Sequence, residues 1–301
     1  MSGIVFGAVL PHGWTLIPEL DPAVAGVRGV YDAMREVGRR CAAARPDVLV
    51  IATPHGVRVD DAICLAGAGR AAGTLHGDGP SPGRMDAASR MVEMNIPVDL
   101  PLTEAIAETA RAAGVPIAVA GFAGNRASES AIPLDWGVAV PAWFLGHGRN
   151  LVGHGNILSA APAEDIGPPV VIVTPSRRLP REAMVTFGEA VADATAADGR
   201  RVAFVASCDW AHAHAGSRYG ASPAAAEVDG LVVEALKAGD PGRLIDLPED
   251  KVQAAAIDGL WQALMLAGVL NRVPMRGEFL AYEVAAVFSC GMAVASFKAV
   301  S

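Results

Sequence analysis

Residues 47–56 read DVLVIATPHG, an apolar run that ends in threonine, proline, histidine and glycine. Uninterrupted apolar runs are typical of strands buried on both faces, and proline ends the hydrogen-bond ladder because it lacks an N–H. The same order recurs at 3–13, GIVFGAVLPHG, and the apolar run 201–207, RVAFVAS, leads into CDWAHAH at 208–214. Ligands of open α/β sheets bind beyond the carboxyl ends of the strands. We therefore expect the histidines of these three loops to lie together at one edge of a sheet.

Apolar strand patterns and helical periodicities alternate along the chain. The predicted helices are 22–44, 102–113, 135–145, 181–197, 224–238 and 250–267, and the further predicted strands are 61–66, 117–121, 169–175, 278–287 and 291–297. Residues 65–86, which are rich in Gly, Pro and Ala, predict a loop. The pattern predicts one α/β domain over residues 1–301, with a central mixed, mostly parallel sheet flanked by helices and a C-terminal antiparallel pair.

Composition narrows the class of protein. Of the 301 residues 52% are hydrophobic, and the net charge is −8 with no basic run, which argues against a nucleic-acid partner. The apolar stretch 254–270 contains Asp258 and Gln262 and is too short and polar to cross a membrane. The first residues lack the pattern of a signal peptide, and the four cysteines form no C-x-x-C pair. We expect a reduced, cytoplasmic protein.

Two of the strand-end histidines, His12 and His55, suggest a metal site. Two neutral imidazoles and one carboxylate form a facial triad, the usual site of non-haem Fe(II) oxygenases. Asp258 is the first candidate for the carboxylate, because an acid inside the predicted apolar helix 254–270 requires a partner. Asp258 could instead stand at the exposed start of that helix, stabilised by the helix dipole. Glu283, in the sequence AYEV at 281–284, is the second candidate.

These segments resemble the class III extradiol ring-cleavage dioxygenases, the superfamily of the protocatechuate 4,5-dioxygenase beta subunit, and the Memo-like proteins of the same fold. The resemblance extends over nearly the whole chain and follows the family's order. The matching segments are VLPHG at 9–13, IPEL at 17–20, TPHG at 53–56, LDWG at 134–137, VP at 140–141, SCDWAH at 207–212, DGLW at 258–261, YE at 282–283 and GM at 291–292.

The resemblance implies a role for each site residue. The family's iron is held by two histidines and a glutamate, which correspond to His12, His55 and Asp258, so an aspartate stands here in place of the glutamate. The family's catalytic base corresponds to His212, with Asp209 orienting it or shaping the pocket, and His214 is the alternative base. The family implies Fe(II), although a His₂–carboxylate site also accepts Mn(II) or Zn(II).

Further implications concern the pocket and its ligands. Asp135 and Trp136 stand where many relatives have Asp-His beside the pocket, so tryptophan would make that wall more apolar. His147 and His154 are weaker candidates for metal contact, and His76 is expected in a loop that could overhang the pocket. The family implies a catechol or 2-aminophenol substrate, O₂ as co-substrate, a homo-oligomer and, in some relatives, a small companion subunit. The rival functions are a Memo-like metal-binding protein without ring cleavage and a zinc hydrolase.

Overall fold

The computed structural model describes residues 2–77, 91–124, 126–148 and 167–300. Within them the chain alternates between strands and helices, as the sequence predicts. In chain order the elements are β1 Gly3–Leu10, α1 Arg28–Ala44, β2 Val48–Ala52, β3 Ile63–Ala66, β4 Arg70–His76, β5 Met91–Pro97, α2 Leu100–Ala112, β6 Ile117–Ala120, β7 Ala131–Pro133, α3 Trp136–Ala142, β8 Val170–Thr174, α4 Arg181–Asp198, β9 Arg201–Ser207, α5 Pro223–Lys237, α6 Glu249–Ala255, α7 Leu260–Arg272, β10 Met275–Ala285 and β11 Cys290–Ala299.

The main sheet has eight strands in the order β10-β11-β1-β9-β2-β8-β3-β6. Its centre, β1-β9-β2-β8, is parallel, and β3 pairs antiparallel with β8 but parallel with β6. Strands β10 and β11 form an antiparallel pair, and β11 continues antiparallel onto β1. This confirms the predicted α/β class, with its mixed, mostly parallel sheet and C-terminal antiparallel pair.

Both faces of the main sheet are covered, which explains why its central strands are uninterrupted apolar runs. Every residue of β1, β2 and β8 is buried. One core cluster packs α2, α4, α5 and α7 on one face, and the other packs α1, α3 and a second, three-stranded sheet on the opposite face. The second sheet has the order β5-β4-β7.

Three expectations about local structure were wrong. Part of the predicted loop 65–86 forms β4, and His76 is the last residue of that strand, whereas residues 78–90 lie outside the described part. The helix expected from residue 22 begins at Arg28. The helix expected over 250–267 is divided, because Ala256 adopts a left-handed conformation with φ 51° and ends α6. Asp258 therefore lies in the break between α6 and α7 and not inside a helix.

The topology explains how distant segments meet. Because β1, β9 and β2 are adjacent and parallel, their carboxyl ends share one edge of the sheet. The loops that follow these strands carry His12, His55 and His212. Strand β8 is parallel to β2 and brings the loop that contains Arg177 to the same edge. The break between α6 and α7 meets this edge from the helical layer, as the contacts below show. No helix in the described residues is long and apolar enough to span a membrane.

Candidate metal centre

His12 lies directly beyond β1 and is almost completely buried, with 1% of its side chain exposed. Its backbone N–H donates to Asp209 Oδ1 at 3.0 Å, which fixes the loop against the end of β9. Its ring Nδ1 lies 3.0 Å from the hydroxyl oxygen of Ser207, the last residue of β9. The last residue of β9 and the loop that follows it therefore fix the ring and the backbone of His12.

The proton on Nδ1 of His12 follows from the partners of Ser207. The Ser207 hydroxyl lies 2.5 Å from the carbonyl oxygen of Gly137, and a carbonyl can only accept a hydrogen bond. The hydroxyl hydrogen is thus directed to Gly137, and Ser207 Oγ accepts from Nδ1–H of His12. In the neutral ring this leaves the lone pair on Nε2, the atom that faces the pocket. Histidine ligands of metals are commonly oriented in this way.

The ring of His55 meets the ring of His12 from the loop beyond β2. Its Nε2 lies 3.1 Å from Nε2 of His12, and its ring stacks on Trp136 with the centroids 4.2 Å apart. Trp136 begins α3, and Asp135 caps this helix by accepting from Val138 N–H at 3.1 Å and from the Thr53 hydroxyl at 2.8 Å. The Asp135 carboxylate thus anchors the wall that supports His55, and burial raises its pKa.

Asp258 supplies the carboxylate of the cluster. Its Oδ2 lies 3.7 Å from Nε2 of His12 and 3.6 Å from Nε2 of His55. The loop can lie against β9 because the next residue is glycine: a Cβ at Gly259 would be 2.6 Å from Cβ of Cys208. Oδ1 of Asp258 is buried and has no hydrogen-bond partner among the described residues. An unpartnered buried carboxylate oxygen is costly and calls for a cation.

The distances among the three ligand atoms fit one metal ion. A triangle with sides of 3.1, 3.6 and 3.7 Å has a point about 2.0 Å from every corner, close to the ~2.0–2.2 Å bonds that nitrogen and carboxylate ligands make to zinc. Together with the unpartnered Oδ1 of Asp258, this geometry shows that the residues present fit a divalent metal. His12, His55 and Asp258 would hold the metal. A His₂–carboxylate donor set suits Fe(II), Mn(II) or Zn(II).

The protonation of the cluster without a metal follows from its charges. Burial by itself lowers the pKa of His12, but the carboxylates of Asp209 and Asp258 outweigh burial and raise this pKa to about 9. Burial, together with the charge of His12, lowers the pKa of His55 to about 3. Burial by itself raises the pKa of Asp258, but the nearby histidines, first of all His12, outweigh it and lower the pKa. His12 is therefore the protonated ring and donates from Nε2 to His55.

Asp209 and His212, the residues predicted for catalysis, border the same pocket. Asp209 Oδ2 lies 3.6 Å from Nε2 of His12, so Asp209 acts on His12 more directly than on His212. Burial raises the pKa of Asp209. Nδ1 of His212 lies 2.9 Å from the Trp210 carbonyl oxygen and 3.1 Å from that of Ala256. Because both carbonyls only accept, Nδ1 carries a proton and the neutral ring has its lone pair on Nε2, 3.9 Å from Asp258 Oδ2.

The two alternative residues lie elsewhere. His214 Nε2 lies 2.8 Å from Asp229 Oδ2, which also accepts from the Tyr282 hydroxyl at 2.7 Å, and His214 does not line the pocket. Glu283 accepts from the backbone N–H of Val30 at 2.7 Å and caps the beginning of α1. Neither residue belongs to the cluster of His12, His55 and Asp258.

The three remaining histidines lie away from the cluster or outside the described residues. His76 ends β4 and does not line the pocket, and His147 is buried with Nε2 donating to the Pro168 carbonyl at 2.8 Å. His154 lies outside the described residues.

The pocket above the cluster has a volume of about 850 Å³. Its apolar wall is aromatic: Trp14, Trp136, Trp261 and Phe288 line it, and the rings of Trp14 and Phe288 meet edge to face at 4.6 Å. Sequence reasoning assigned no role to Trp14, Arg177 or Phe288. The first two could have been found, because Trp14 comes two residues after His12 and Arg177 follows a strand, as the other site residues do. Phe288 reaches the pocket through the β10–β11 turn, which no local pattern reveals.

Comparisons with known proteins give a family match and a similar fold. Residues 7–293 match the family described as the catalytic LigB subunit of aromatic ring-opening dioxygenase. Protein CA_C1420 of Clostridium acetobutylicum is 24% identical over 297 residues, which are 97% of this chain and 57% of that protein, so the chain spans little more than half of this relative. The crystal structure of an uncharacterized Escherichia coli K12 protein, JW3007, is similar in fold, with a TM-score of 0.51 and 12% identity over 97% of this chain and 99% of that one.

The family match covers the strands and loops that carry His12, His55, His212 and Asp258, and the predicted resemblance is confirmed. The chain therefore belongs to the LigB family of class III extradiol aromatic ring-opening dioxygenases.

Proposed function

We propose that the protein is a non-haem Fe(II)-dependent extradiol dioxygenase that opens a catechol or 2-aminophenol type ring with O₂. The observation that carries the proposal is the convergence of His12, His55 and Asp258 on one point beneath an aromatic pocket. The ring would open beside the two heteroatoms, and both oxygen atoms of O₂ would enter a semialdehyde-type product. Family membership supports an aromatic substrate and O₂.

When bound, the metal would act as a Lewis acid and as a template for the two substrates. The protein's own groups would supply positioning and proton transfer. The lone pair of His212 Nε2 would accept the proton of a ring hydroxyl, and the same nitrogen would return it later, as the imidazole of a general acid–base histidine does. The Trp210 and Ala256 carbonyls prevent the His212 ring from turning over, because they accept from Nδ1–H. Trp136, Trp14 and Phe288 would hold the ring and exclude water.

Oxygen uptake by anaerobically iron-loaded protein, measured against a panel of catechols and 2-aminophenols, tests the proposal. We expect uptake with ring-opened product. His212→Phe should keep its iron and lose about 10²–10⁴-fold in turnover, the usual effect of removing an acid–base group. His76→Gln is the matched control, because this histidine lies outside the pocket, and it should keep both iron and turnover.

Loss of iron in His212→Phe would make His212 a ligand instead of a base. Bound iron without oxygen uptake across the panel would favour the alternative function, a Memo-like metal-binding protein without ring cleavage. The shorter acid, Asp258 where the family has glutamate, is the observation that keeps this alternative open. Zinc content with hydrolysis and no oxygen chemistry would favour a hydrolase.

A further inference from the structure

Asp229, on α5, is a buried carboxylate that the proposed mechanism does not use. Only 1% of this residue is exposed, and it does not line the pocket. Its Oδ1 accepts from the backbone N–H of Ala211 at 2.9 Å. Its Oδ2 accepts from Nε2 of His214 at 2.8 Å and from the Tyr282 hydroxyl at 2.7 Å. The carboxylate is therefore the centre of a hydrogen-bond network inside the fold.

The network keeps a negative charge on Asp229. Burial raises the pKa of this carboxyl, whereas the hydrogen bonds from His214, Ala211 and Tyr282 oppose the rise, and a carboxylate that accepts several hydrogen bonds is stabilised in its charged form. Burial, followed by the charge of Asp229, raises the pKa of Tyr282, so the phenol keeps its proton and donates the hydrogen bond. Gly291 leaves space for the charged group, because a Cβ at this residue would be 2.0 Å from Asp229 Oδ2.

The peptide group between Trp210 and Ala211 links this carboxylate to His212. The N–H of the peptide group belongs to Ala211 and donates to Asp229. The carbonyl oxygen belongs to Trp210 and accepts from Nδ1–H of His212 at 2.9 Å. A trans peptide is planar, and its N–H and C=O point in opposite directions. The carboxylate therefore fixes one end of a rigid group, and the other end of that group holds the His212 ring.

The charge of Asp229 also strengthens the hydrogen bond to the ring. Hydrogen bonds in series polarise one another, and a bond to a charged acceptor is roughly twice as strong as one between neutral groups. A negative charge at the N–H end makes the Trp210 oxygen a better acceptor, which favours the proton on Nδ1 of His212 and the lone pair on Nε2. Asp209, which the sequence suggested for orienting this ring, lies beside His12 instead.

We propose that Asp229 is a positioning residue that acts on His212 through the peptide group between Trp210 and Ala211. The inference rests on the proposed function, which gives His212 the role of the base. Asp229 contacts neither the pocket nor the metal ligands. It keeps one ring nitrogen of His212 protonated, so that the other nitrogen faces the pocket with a free lone pair.

Nuclear magnetic resonance of the His212 ring tests the positioning without any turnover. The sample is zinc-loaded protein with nitrogen-labelled histidine, because zinc suits the same donor set and is diamagnetic. In the unaltered protein we expect a proton on Nδ1, with a low-field resonance and slow exchange with water. Asp229→Asn removes the charge, and the Nδ1 proton should move upfield and exchange about tenfold faster, roughly the contribution of one hydrogen bond. An unaltered protein without a proton on Nδ1 would overturn the proposal, whether or not the variant folds.

Turnover of the iron-loaded protein gives the second measurement. Asp229→Asn should lower kcat about tenfold, which is less than the ~10²–10⁴-fold loss for removing an acid–base group. Its KM and iron content should not change, because Asp229 touches neither substrate nor metal. Asp99→Asn is the matched control: Asp99 is also buried, accepts from the backbone N–H of Leu102 at 2.9 Å and lies away from the pocket. This control should lower the melting temperature and keep kcat.

A double-mutant cycle separates positioning from a purely structural role. In a His212→Phe background, Asp229→Asn should cause no further loss of kcat, because no ring remains to be positioned. A further loss of about tenfold in that background would overturn the proposal, since independent effects add. An unchanged Nδ1 proton together with an unchanged kcat in Asp229→Asn would also overturn it.

The two measurements distinguish the failure of this proposal from the failure of the proposed function. A weakened Nδ1 hydrogen bond in Asp229→Asn, with no oxygen uptake by the unaltered protein, would support the positioning of His212 and contradict the proposed reaction. Oxygen uptake that Asp229→Asn leaves unchanged would support the reaction and remove Asp229 from it.

Discussion

The loops after β1 and β2 carry the same three residues, Pro-His-Gly, and place two histidines in very different surroundings. The side chain of His12 is 1% exposed, and Ser207 and Asp209 fix its ring and backbone. The side chain of His55 is 25% exposed and is held by stacking on Trp136. The pKa is raised to about 9 for His12 and lowered to about 3 for His55. The same Pro-His-Gly motif therefore places His12 in a fixed position within the fold and His55 at the border of the open pocket.

The largest effect expected from this difference concerns the ligands themselves. His12→Ala and His55→Ala should each abolish tight metal binding, measured by elemental analysis after dialysis. His12→Ala should also lower the free energy of unfolding by about 3 kcal/mol, because the Asp209 and Asp258 carboxylates lose their buried positive partner. His55→Ala should cost much less in a denaturant titration. Full retention of iron in either variant would remove that histidine from the ligand set.

Asp258 Oδ2 lies at nearly equal distances from Nε2 of His12 and Nε2 of His55. Removing this carboxylate should therefore weaken the metal site at both histidines to the same extent. Asp258→Ala should lose metal affinity by several orders of magnitude, because a ligand and its negative charge disappear. Asp258→Glu, which restores the family residue, should keep the metal. Glu283→Gln is the control, because Glu283 caps α1, and it should retain the metal. Metal lost in Glu283→Gln but kept in Asp258→Ala would reverse the assignment.

The pH dependence of metal binding should arise from the deprotonation of His12 alone. The proton held by His12 has to leave when a metal binds, and its pKa of about 9 means that it is still bound at neutral pH. The apparent affinity should therefore fall about tenfold for each unit below pH 9, or about a hundredfold between pH 9 and pH 7. His55, with a pKa of about 3, should add no dependence in this range. Chelator competition measures the profile, and a flat curve would contradict the assignment.

The smallest effect expected comes from Ser207, which contacts only His12 of the two ligands. Ser207→Ala removes the acceptor for Nδ1–H and should weaken metal binding about tenfold, the lower end of what partners of metal-bound histidines contribute. Nitrogen NMR of the metal-free variant, recorded above the His12 pKa of about 9 so that the ring is neutral, should show a mixed tautomer. Ser176→Ala, which removes another buried hydroxyl near a strand end, should leave the affinity unchanged. An unchanged affinity in Ser207→Ala would contradict the role of the hydroxyl.

The sheet and the meeting of the three histidine loops were predictable, because parallel apolar strands bring their carboxyl ends to one edge whatever surrounds them. The position of Asp258 in a break was not, because the left-handed Ala256 carries no Gly or Pro signal. Strand β4 was missed for a similar reason, since its Gly and Ala residues resemble a loop. The partners of His214 were also unpredictable, because Asp229 and Tyr282 come from α5 and β10.

The arrangement of β1 between β9 and β11 has a consequence for synthesis of the chain. A nascent polypeptide emerges in order, so this fully buried strand leaves the ribosome long before either of its neighbours exists. Until β9 and β11 follow, both of its edges are unpaired and its side chains are exposed, which is the condition that favours aggregation. Of the proposed metal ligands, His12 is synthesised as early as β1, and Asp258 is synthesised late. A metal site built from these residues can therefore be complete only after Asp258 has been synthesised, and early chaperone protection of β1 should improve the yield of folded protein.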